Sequence, residues 1–379
     1  MLIVHVTDCY SPRTGGIESQ VGDLAARQVV GGHEVHVLTA TLGPGGERGG
    51  VVDLENGVRV HRLGARIPFD LPVNPAGPRL IRDALRELTP DVVHVHAGVL
   101  SPFAFDGART ALDLRLPTAI TWHCMLDGVV GPLRAVVHRT RWQQTPAALS
   151  AVSHAAAARV EQVFGTRVAV MPNGLDIAAW APQGALEPSG EHGRLRLVST
   201  MRLAPRKRAV PLVQLVGEAA RRLPPDRVRL TVIGAGPAHG RVAASVAAQG
   251  LEHVIELRGR LTRPQVRAAY ADADVFLAPA SLEAFGIAAL EARTAGLVIV
   301  ARRGTGIEEF VEDGVDGLLV ADDAEMTEAV VQLARDGRLL DGMLRHNRAT
   351  PPPFGWDDVL GAADAEYVRA RALALVQHP

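Results

Sequence analysis

The densest group of charged residues is a run of four cations within seven positions: Arg202, Arg206, Lys207 and Arg208. Lys207 is also the only lysine among the 40 basic side chains, so a compact ammonium stands here in a chain that otherwise uses arginine. Like charges so close together repel one another, and an anion held among them removes the conflict. Because arginine forks and a lysine ammonium both bind phosphate, the run predicts a diphosphate site, with a solvated basic loop as the alternative.

Two carboxylates in a later segment, Glu283 and Glu291, could bind hydroxyl groups. Glu283 precedes a helix predicted to begin near Gly286, and Glu291 is expected about two turns inside it. Carboxylates accept hydrogen bonds from the vicinal hydroxyls of sugars and riboses, and the free amides at 284–288 would attract an anion at the helix start. The segment therefore predicts a sugar or ribose site, with two exposed helix charges as the alternative.

Glycines open two other predicted helices. Gly15 and Gly16 follow the first predicted strand, where a phosphate could reach bare amides at a helix N-terminus; a tight turn is the alternative. Gly234 and Gly236 follow a later strand and suggest a dinucleotide fingerprint, but the third glycine, Gly240, comes one residue too late. We therefore interpret this second segment as a structural or cleft-lining turn rather than an NAD site.

Histidines lie at the ends of two predicted strands: His94 and His96 close one strand, and His123 follows the next. A single histidine at such a place is most often structural, whereas three at neighbouring strand ends raise the idea of a metal site. No carboxylate or cysteine with ligand spacing accompanies them, so we predict no metal.

Short apolar runs that alternate with amphipathic stretches must position these residues. The alternation predicts an α/β fold with mostly parallel sheets, and because it restarts near residue 195 it predicts two doubly wound domains. We place them at 1–176, together with a late helix in 356–379, and at 177–355, with a linker rich in glycine and proline at 180–193. Ligands bind beyond the carboxyl ends of such strands, and two facing domains would form a cleft there. The predicted strands are 3–6, 34–38, 92–96, 118–122, 195–198, 228–233, 254–257, 275–277 and 297–300, and the clearest helices are 17–30, 210–222 and 356–377.

The composition is typical of a folded protein with more than one domain, since 47% of its 379 residues are apolar. A formal net charge of −1 argues against nucleic acid as the main partner. Cys9 and Cys124 make no disulfide framework, the N-terminus is typical of a strand rather than a signal peptide, and no apolar run approaches the ~20 residues of a membrane span. We therefore expect a cytoplasmic protein. Its basic segment 134–142 could contact an anionic membrane or an acceptor phosphate, with a partly exposed helix as the alternative.

Taken in order, these segments resemble the retaining glycosyltransferase family 4, over nearly the whole chain. The resemblance implies the GT-B fold: two Rossmann-like domains with parallel sheets facing a central cleft, and a C-terminal helix that crosses back to the first domain. Phosphatidylinositol mannosyltransferases and inositol-phosphate N-acetylglucosaminyltransferases are similar. The motifs that carry the resemblance are Pro12 with Gly15-Gly16-Ile17-Glu18, Gly32-His33-Glu34-Val35, Pro90 to His96, Ala151-Val152-Ser153, Met171 to Asp176, Arg202 with Lys207, Gly234 to Pro237, and Glu283 with Glu291.

The resemblance implies roles for the residues that would bind the nucleotide. Arg202, Lys207 and the amide of Gly16 would hold the donor diphosphate. Glu291 would bind the ribose hydroxyls, and the Arg260-Leu261 loop would border the nucleobase.

It also implies a sugar site, with His123 beside the reacting carbon and Glu283 on the sugar hydroxyls, which makes these two the candidate catalytic residues. The acceptor would bind near His94 and His96. The backbone amides that would complete the sugar site belong to Ala284, Phe285, Gly286 and Ile287. Departures from the family pattern at Ala284, Leu297 and 304–306 concern loop shape and the choice of sugar.

We therefore expect a hexosyltransferase that retains the anomeric configuration and uses a nucleotide sugar of the GDP-mannose, UDP-glucose or UDP-GlcNAc type. The acceptor would be a hydroxyl of a polyol, a sugar or a lipid-linked molecule. Cations already face the diphosphate and no acidic pair lies at a suitable strand end, so we predict that no metal or other cofactor is required. No carboxylate is placed as a nucleophile, which favours front-face attack assisted by the departing phosphate. The pattern leaves the oligomeric state open.

Three other functions remain as alternatives. A nucleotide-sugar epimerase or hydrolase on the same fold would consume donor without an acceptor, and a dinucleotide-dependent oxidoreductase would use a nicotinamide. A non-catalytic sugar-nucleotide binding protein fits less well because the set Arg202, Lys207, Glu283 and Glu291 is intact. The interpretation depends on Lys207: if it were paired with protein carboxylates, a sugar donor would lose its main support.

Overall fold

The computed structural model describes residues 1–13, 15–43, 51–65, 74–140, 142–182 and 193–376. The chain divides into two compact units, one formed by Met1–Gly174 with Phe354–Pro379 and the other by Leu175–Pro353. The predicted boundaries at 176/177 and 355/356 lie within two residues of these limits. Most of the predicted linker, residues 183–192, falls outside the described residues.

The first unit is built on an eight-stranded sheet with the order β3-β4-β2-β1-β5-β6-β7-β8. All neighbouring strands pair in parallel except β3 and β4, which form an antiparallel pair at one edge. That edge is an exception to the predicted parallel arrangement. Its strands are β1 (Leu2–Thr7), β2 (Glu34–Thr39), β3 (Val51–Glu55), β4 (Val58–Arg62), β5 (Val92–Ala97), β6 (Thr118–Trp122), β7 (Ala147–Ala151) and β8 (Ala169–Val170).

Helices cover this sheet, and the last helix of the chain is one of them. The helix from Trp356 to Val376 buries Trp356 and Tyr367 in a cluster with Ile3 of β1 and Ala119 of β6. The predicted return of the C-terminal helix to the first unit is therefore confirmed. The helices of the unit are α1 (Gly16–Val30), α2 (Gly77–Leu88), α3 (Pro102–Asp113), α4 (Val130–Thr140), α5 (His154–Phe164) and, after the second unit in the chain, α13 (Trp356–Val376).

The second unit is built on a six-stranded sheet with the order β11-β10-β9-β12-β13-β14, and every neighbouring pair is parallel. Its strands are β9 (Leu195–Thr200), β10 (Val228–Ile233), β11 (Ile255–Gly259), β12 (Val275–Ala278), β13 (Val298–Arg302) and β14 (Gly317–Val320). Its helices are α6 (Ile177–Trp180), α7 (Ala209–Arg221), α8 (His239–Ala248), α9 (Arg263–Ala271), α10 (Ile287–Thr294), α11 (Asp323–Arg335) and α12 (Gly337–Ala349).

Both sheets follow from near-continuous runs of Val, Ile, Leu and Ala, as expected for strands covered on both faces. In the second unit Leu197, Leu230 and Val300 are almost fully buried and join the helices in one core. Burying each such side chain contributes about 1.5–3 kcal/mol. Within the described ranges, no helix combines the length and the apolar character needed to cross a membrane.

Candidate functional site

The centre of the second sheet brings together most of the residues singled out in that half of the chain. β9 lies between β10 and β12, so the connection after β9 leads to one side of it and a later connection returns to the other. Ligands of open parallel sheets bind where the strand order reverses in this way, beyond the carboxyl ends of the strands. The loop after β9 carries Arg202 and Lys207, and the loop after β12 carries Glu283.

Lys207 and Glu283 are in direct contact. The Lys207 Nζ donates a hydrogen bond to the Glu283 Oε2 over 2.5 Å, and both side chains are a little more than one-fifth exposed. Lys207 ends a 3-10 turn formed by Pro205–Lys207, directly before α7. Two residues that lie 76 positions apart in the chain are thus brought together by the order of the strands.

We expected a donor-binding Lys207 to be free of protein carboxylates, and that expectation is wrong. The ion pair partly neutralises the charge that was to meet a diphosphate. An ammonium has three N–H donors, however, and the contact with Glu283 uses one of them. Lys207 therefore keeps two donors on a partly exposed side chain, so the pairing weakens the argument for a diphosphate without removing it.

The other cations of the run do not behave alike. Arg208 donates to the Asp323 carboxylate at 2.6 Å, so its charge is compensated within the chain. Arg202 and Arg206 are exposed, and among the described residues neither forms a side-chain hydrogen bond or ion pair. The expected repulsion among four unpaired cations is thus reduced by two carboxylates, and Arg202 and Arg206 remain free to meet an anion.

Gly234 and Gly236 support the backbone of the Arg202 loop. A β-carbon on Gly234 would come within 1.9 Å of the Met201 carbonyl oxygen, and one on Gly236 within 2.4 Å of the Leu203 carbonyl oxygen. The Leu203 amide donates to the Ala235 carbonyl at 3.0 Å. These glycines allow two backbone segments to lie against each other, which agrees with their interpretation as a structural turn.

The loop at Glu283 is held by its backbone and by a glycine from a later segment. The Gly306 amide donates to the Glu283 carbonyl at 2.8 Å, and a β-carbon on Gly306 would come within 2.0 Å of the Ala284 carbonyl oxygen. Ala284 and Phe285 are buried, which keeps the loop in place. Gly286 then adopts a φ of 90°, a conformation that favours glycine, and α10 begins at Ile287. The helix start near Gly286 is confirmed.

Glu291 lies in the first half of the short α10, one turn from its start rather than the expected two. Its carboxylate lies close enough to the buried Tyr270 hydroxyl to help burial raise the pKa of that tyrosine. Tyr270 donates to the Ala288 carbonyl at 3.3 Å and so supports the same helix. Sequence reasoning missed Tyr270, although an isolated tyrosine on the amphipathic stretch before β12 was the available signal. Arg260 and Leu261 follow β11, as expected, and Arg260 is exposed.

The first unit places Gly16 at the start of α1, with Gly15 as the residue before it. The Glu18 side chain folds over this helix start, since a β-carbon on Gly15 would come within 2.3 Å of its carboxylate. A protein carboxylate thus occupies part of the positive end of the helix that was predicted to receive a phosphate. The role of the Gly16 amide stays a prediction.

His94 and His96 are fully buried, so the prediction that the acceptor binds against them needs correction. The ring nitrogens of His94 contact the Tyr367 hydroxyl at 3.0 Å and the Thr121 hydroxyl at 2.7 Å. His96 contacts His5 at 2.9 Å and His123 at 3.0 Å. Because both rings use both nitrogens inside the unit, they lie beneath His123 and not on the surface.

His123 directly follows β6, as predicted, and is partly exposed. Burial lowers the pKa of His123 to about 4 and that of His5 to about 4, and it lowers the pKa values of His94 and His96 further. All four imidazoles are therefore neutral at pH 7. Sequence reasoning missed His5, although it stands in β1 directly beside His94 in the sheet register.

Nitrogens of His5, His94 and His96 all lie within 4.8 Å of one another, a spacing that a metal ion could use. Each of their six ring nitrogens already has a hydrogen-bond partner, and no carboxylate takes part in the group. The three residues fit a neutral hydrogen-bonded cluster better than a cation site, in agreement with the prediction that no metal binds there.

The basic segment 134–142 forms most of α4, although Arg141 lies outside the described residues. Val137 is the one residue of α4 that is buried, while Val136 is 57% exposed and Arg134, His138 and Arg139 are exposed. The segment is thus a largely exposed helix that carries both basic and apolar side chains.

Comparisons with known proteins agree on one family. The chain matches the family described as Glycosyltransferase Family 4 over residues 14–179 and the family described as Glycosyl transferases group 1 over residues 194–336. It is 27% identical to a phosphatidylinositol N-acetylglucosaminyltransferase of Arabidopsis thaliana, over 97% of this chain and 82% of that protein. It is 26% identical to GDP-mannose:cellobiosyl-diphosphopolyprenol alpha-mannosyltransferase of Xanthomonas oryzae, over 100% of this chain and 99% of that protein.

Among solved structures, the fold resembles that of Anabaena HepE, which was crystallised with UDP and glucose. The TM-score is 0.75 with 19% identity, over 96% of this chain and 98% of HepE. The likeness shows that both units have the architecture of GT-B proteins.

Proposed function

Since the chain belongs to glycosyltransferase family 4 and is a glycosyltransferase, we propose that it transfers a hexosyl unit from a nucleotide sugar to a hydroxyl acceptor. We propose further that it retains the anomeric configuration and requires no metal. The donor is of the GDP-mannose, UDP-glucose or UDP-GlcNAc type, and the acceptor is a polyol, a sugar or a lipid-linked molecule. The names of the two relatives, which include a GDP-mannose enzyme and a phosphatidylinositol enzyme, support these classes.

The observation that carries the proposal is the 2.5 Å contact between Lys207 and Glu283 beside the central strand of the second sheet. A cation suited to phosphate and a carboxylate suited to sugar hydroxyls touch at the place where such sheets bind ligands. A sugar diphosphate carries both partners in adjacent groups. The proposed donor therefore has its phosphate on the lysine side of the pair and its sugar on the glutamate side.

The proposed chemistry is mainly electrostatic. Negative charge develops on the nucleoside diphosphate as the bond to the sugar breaks, and Lys207 and the exposed Arg202 lie in one loop to stabilise it. The Glu283 carboxylate and the amides at 284–287 orient the sugar. Because no carboxylate is assigned as a nucleophile, the acceptor attacks from the face that the diphosphate leaves, and the leaving phosphate takes the acceptor proton.

Glu291 is proposed to bind the ribose, and the backbone at Arg260 and Leu261 to border the base. The exposed helix α4 is the proposed place of contact with a lipid-linked acceptor or an anionic membrane, since it combines exposed arginines with an exposed valine. Binding of the purified protein to anionic vesicles that weakens as salt rises tests this contact.

The deciding experiment compares Lys207→Ala with Arg206→Ala, since both residues are cations of one loop and only Lys207 contacts Glu283. With a nucleotide sugar that the wild type consumes, Lys207→Ala should lower kcat/KM by about 10²–10³-fold. Arg206→Ala, the matched control, should stay within a few-fold of the wild type. The donor is first found by a thermal-shift panel of UDP, GDP, ADP and dTDP sugars, because a ligand that binds the native state raises the Tm.

Unchanged affinity of Lys207→Ala for the donor, measured by calorimetry, would refute the diphosphate assignment. An NMR spectrum of the product with an inverted anomeric centre would refute retention, and loss of activity in EDTA would refute metal independence.

A further inference from the structure

The histidines of the first unit belong to one continuous chain of hydrogen bonds. From His123 Nε2 the chain reaches His96 Nδ1 at 3.0 Å, and from His96 Nε2 it reaches His5 Nδ1 at 2.9 Å. His5 Nε2 contacts the Gln28 Oε1 at 2.7 Å, and the Gln28 Nε2 donates to the Tyr367 hydroxyl at 2.8 Å. Residues from β1, β5, α1 and α13 thus connect the partly exposed His123 with the last helix of the chain.

The chain continues beyond that helix into the sheet. The Tyr367 hydroxyl lies 3.0 Å from His94 Nδ1, and His94 Nε2 lies 2.7 Å from the Thr121 hydroxyl. Thr121 contacts Ser150 at 2.8 Å, and the Ser150 hydroxyl donates to the Ile120 carbonyl at 3.5 Å. All of these side chains are buried, so water does not supply the missing partners.

The polarity of the chain follows from its inner end, because the Ile120 carbonyl can only accept. Ser150 gives its hydrogen to that carbonyl, so Thr121 donates to Ser150 and the Nε2–H of His94 donates to Thr121. A neutral imidazole has one donor and one acceptor, so His94 Nδ1 accepts from the Tyr367 hydroxyl.

The same rule carries the polarity outward to the surface. The Tyr367 hydroxyl has given its hydrogen to His94, so it accepts from the Gln28 amide nitrogen, and the Gln28 carbonyl accepts from His5 Nε2–H. His5 Nδ1 then accepts from His96 Nε2–H, and His96 Nδ1 accepts from His123 Nε2–H. The proton of the His123 ring is thereby placed on the nitrogen that faces the interior.

We propose that Gln28 and Tyr367 are positioning residues that hold His123 in the Nε2–H tautomer, so that its Nδ1 presents a hydrogen-bond acceptor to a hydroxyl group of the bound substrate. Nδ1 forms no hydrogen bond with any part of the chain that the structure describes. That the substrate is a nucleotide sugar or its acceptor rests on the proposed function. The tautomer itself is a property of the protein alone.

The arrangement has a chemical consequence for recognition. An unprotonated Nδ1 accepts from a hydroxyl but has nothing to offer an ether or carbonyl oxygen, so His123 selects a substrate atom that carries a hydrogen. Four neutral imidazoles in series can keep this setting because the lowered pKa values leave them uncharged near pH 7.

NMR on the full-length protein tests the tautomer directly. With 15N-labelled histidine at pH 7.5, long-range proton–nitrogen spectra should show His123 with an unprotonated Nδ1 and a protonated Nε2, with His123→Gln identifying the signals. The opposite tautomer would mean that the Gln28 amide is reversed and that every hydrogen bond of the chain runs the other way, which would overturn the proposal.

Tyr367→Phe and Gln28→Leu should each remove the bias, so that His123 populates both tautomers and kcat/KM falls about tenfold. His61→Gln is the matched control, because it breaks the separate 2.7 Å contact between His36 and His61 in the same sheet. The control should leave the His123 spectrum unchanged and kcat/KM within twofold. A control that shifts the tautomer as strongly as Tyr367→Phe, or a Tyr367→Phe variant that keeps it, contradicts the proposal.

Addition of the nucleotide sugar found by the thermal-shift panel should move the His123 Nδ1 signal in the wild type, and an unmoved signal during turnover contradicts a contact with the substrate. If no nucleotide sugar is consumed at all, the proposed function fails, and the tautomer in the free protein still decides whether Gln28 and Tyr367 act as inferred.

Discussion

The two units are both built on parallel sheets, but they bury their polar groups in different ways. The strands of the first unit bury neutral hydrogen-bonding side chains, among them His5, His94, His96 and Thr121. The second unit buries ion pairs, such as the Arg293–Asp316 contact at 2.7 Å. Among the described residues, the histidines whose pKa is lowered all belong to the first unit: His5, His36, His61, His94, His96 and His123.

The difference shows how each unit can respond to its surroundings. A network of neutral histidines is stable only while its members stay unprotonated, so it depends on pH near neutrality. An arginine–aspartate pair keeps its charges through the same range and depends instead on both partners being present. The first unit should therefore fail on acidification, and the second on loss of one partner.

Acidification should have the largest effect, and it should act on the first unit. Burial lowers the pKa of His5 and of His123 to about 4, while an unfolded histidine binds a proton from about pH 6.5. The stability is fully present above pH 6.5 and falls towards pH 4, by about 1.4 kcal/mol per pH unit for each histidine that gains a proton on unfolding. Asp8, whose pKa burial raises to about 6, opposes this with one proton.

Urea unfolding at a series of pH values measures this effect. Trp122, Trp142 and Trp356 lie in the first unit and Trp180 in the second, so the fluorescence of a Trp180→Phe variant reports on the first unit. Equal losses of stability in both units between pH 6.5 and 4, seen by hydrogen exchange in separate peptides, would contradict the comparison.

The substitution with the largest expected effect is Arg293→Ala in the second unit. Arg293 is almost fully buried and also donates to the carbonyls of Asn347 and Thr350. Its removal leaves the Asp316 carboxylate buried with too few donors, which should cost about 3–5 kcal/mol. Chemical denaturation followed by Trp180 measures the loss, and a cost below about 1 kcal/mol would show that the pair is not what holds this region.

A smaller effect is expected from removing one buried hydroxyl in each sheet. Thr121→Val keeps the shape of the side chain but leaves the buried His94 Nε2–H without an acceptor, which should cost about 1–3 kcal/mol. Ser199→Ala removes a 2.6 Å bond to the Leu277 carbonyl at the centre of the second sheet and should cost about 1 kcal/mol. Equal costs, measured by urea denaturation of both variants, would mean that Thr121 is not part of a connected network.

The smallest effect should come from the surface. Arg222 contacts Glu328 at 2.6 Å, but both side chains are well exposed to solvent. Arg222→Ala should therefore change the free energy of unfolding by less than about 1 kcal/mol, and less still at high salt. A larger change would show that charged pairs matter to the second unit on its surface as well as in its interior.

Much of the fold could be predicted because the apolar runs have the length and spacing of parallel strands. β6 and β10 begin and end where the pattern predicts, and α10 begins next to Gly286 as expected. The antiparallel β3–β4 edge was not foreseen, because its exposed strand lacks a continuous apolar run.

The candidate site was predicted less evenly. The residues Lys207 and Glu283 were found from charge and position, but their contact was not, since a pairing across 76 residues depends on the strand order. The burial of His94 and His96 was missed because a histidine at a strand end looks the same whether it faces a ligand or a neighbouring helix. Tyr367 gave no signal, as its partner Gln28 lies 339 positions away.

The helix α13 belongs to the first unit although the whole second unit precedes it in the chain. During synthesis, the ribosome therefore completes the second unit while the first still lacks Tyr367 and the apolar face of its last helix. A messenger that ends early, or a ribosome that stalls near residue 355, would release a first unit with an uncovered sheet and an interrupted histidine network. The first unit becomes whole only when this helix has emerged, so quality control of the nascent protein has a single late step on which to act.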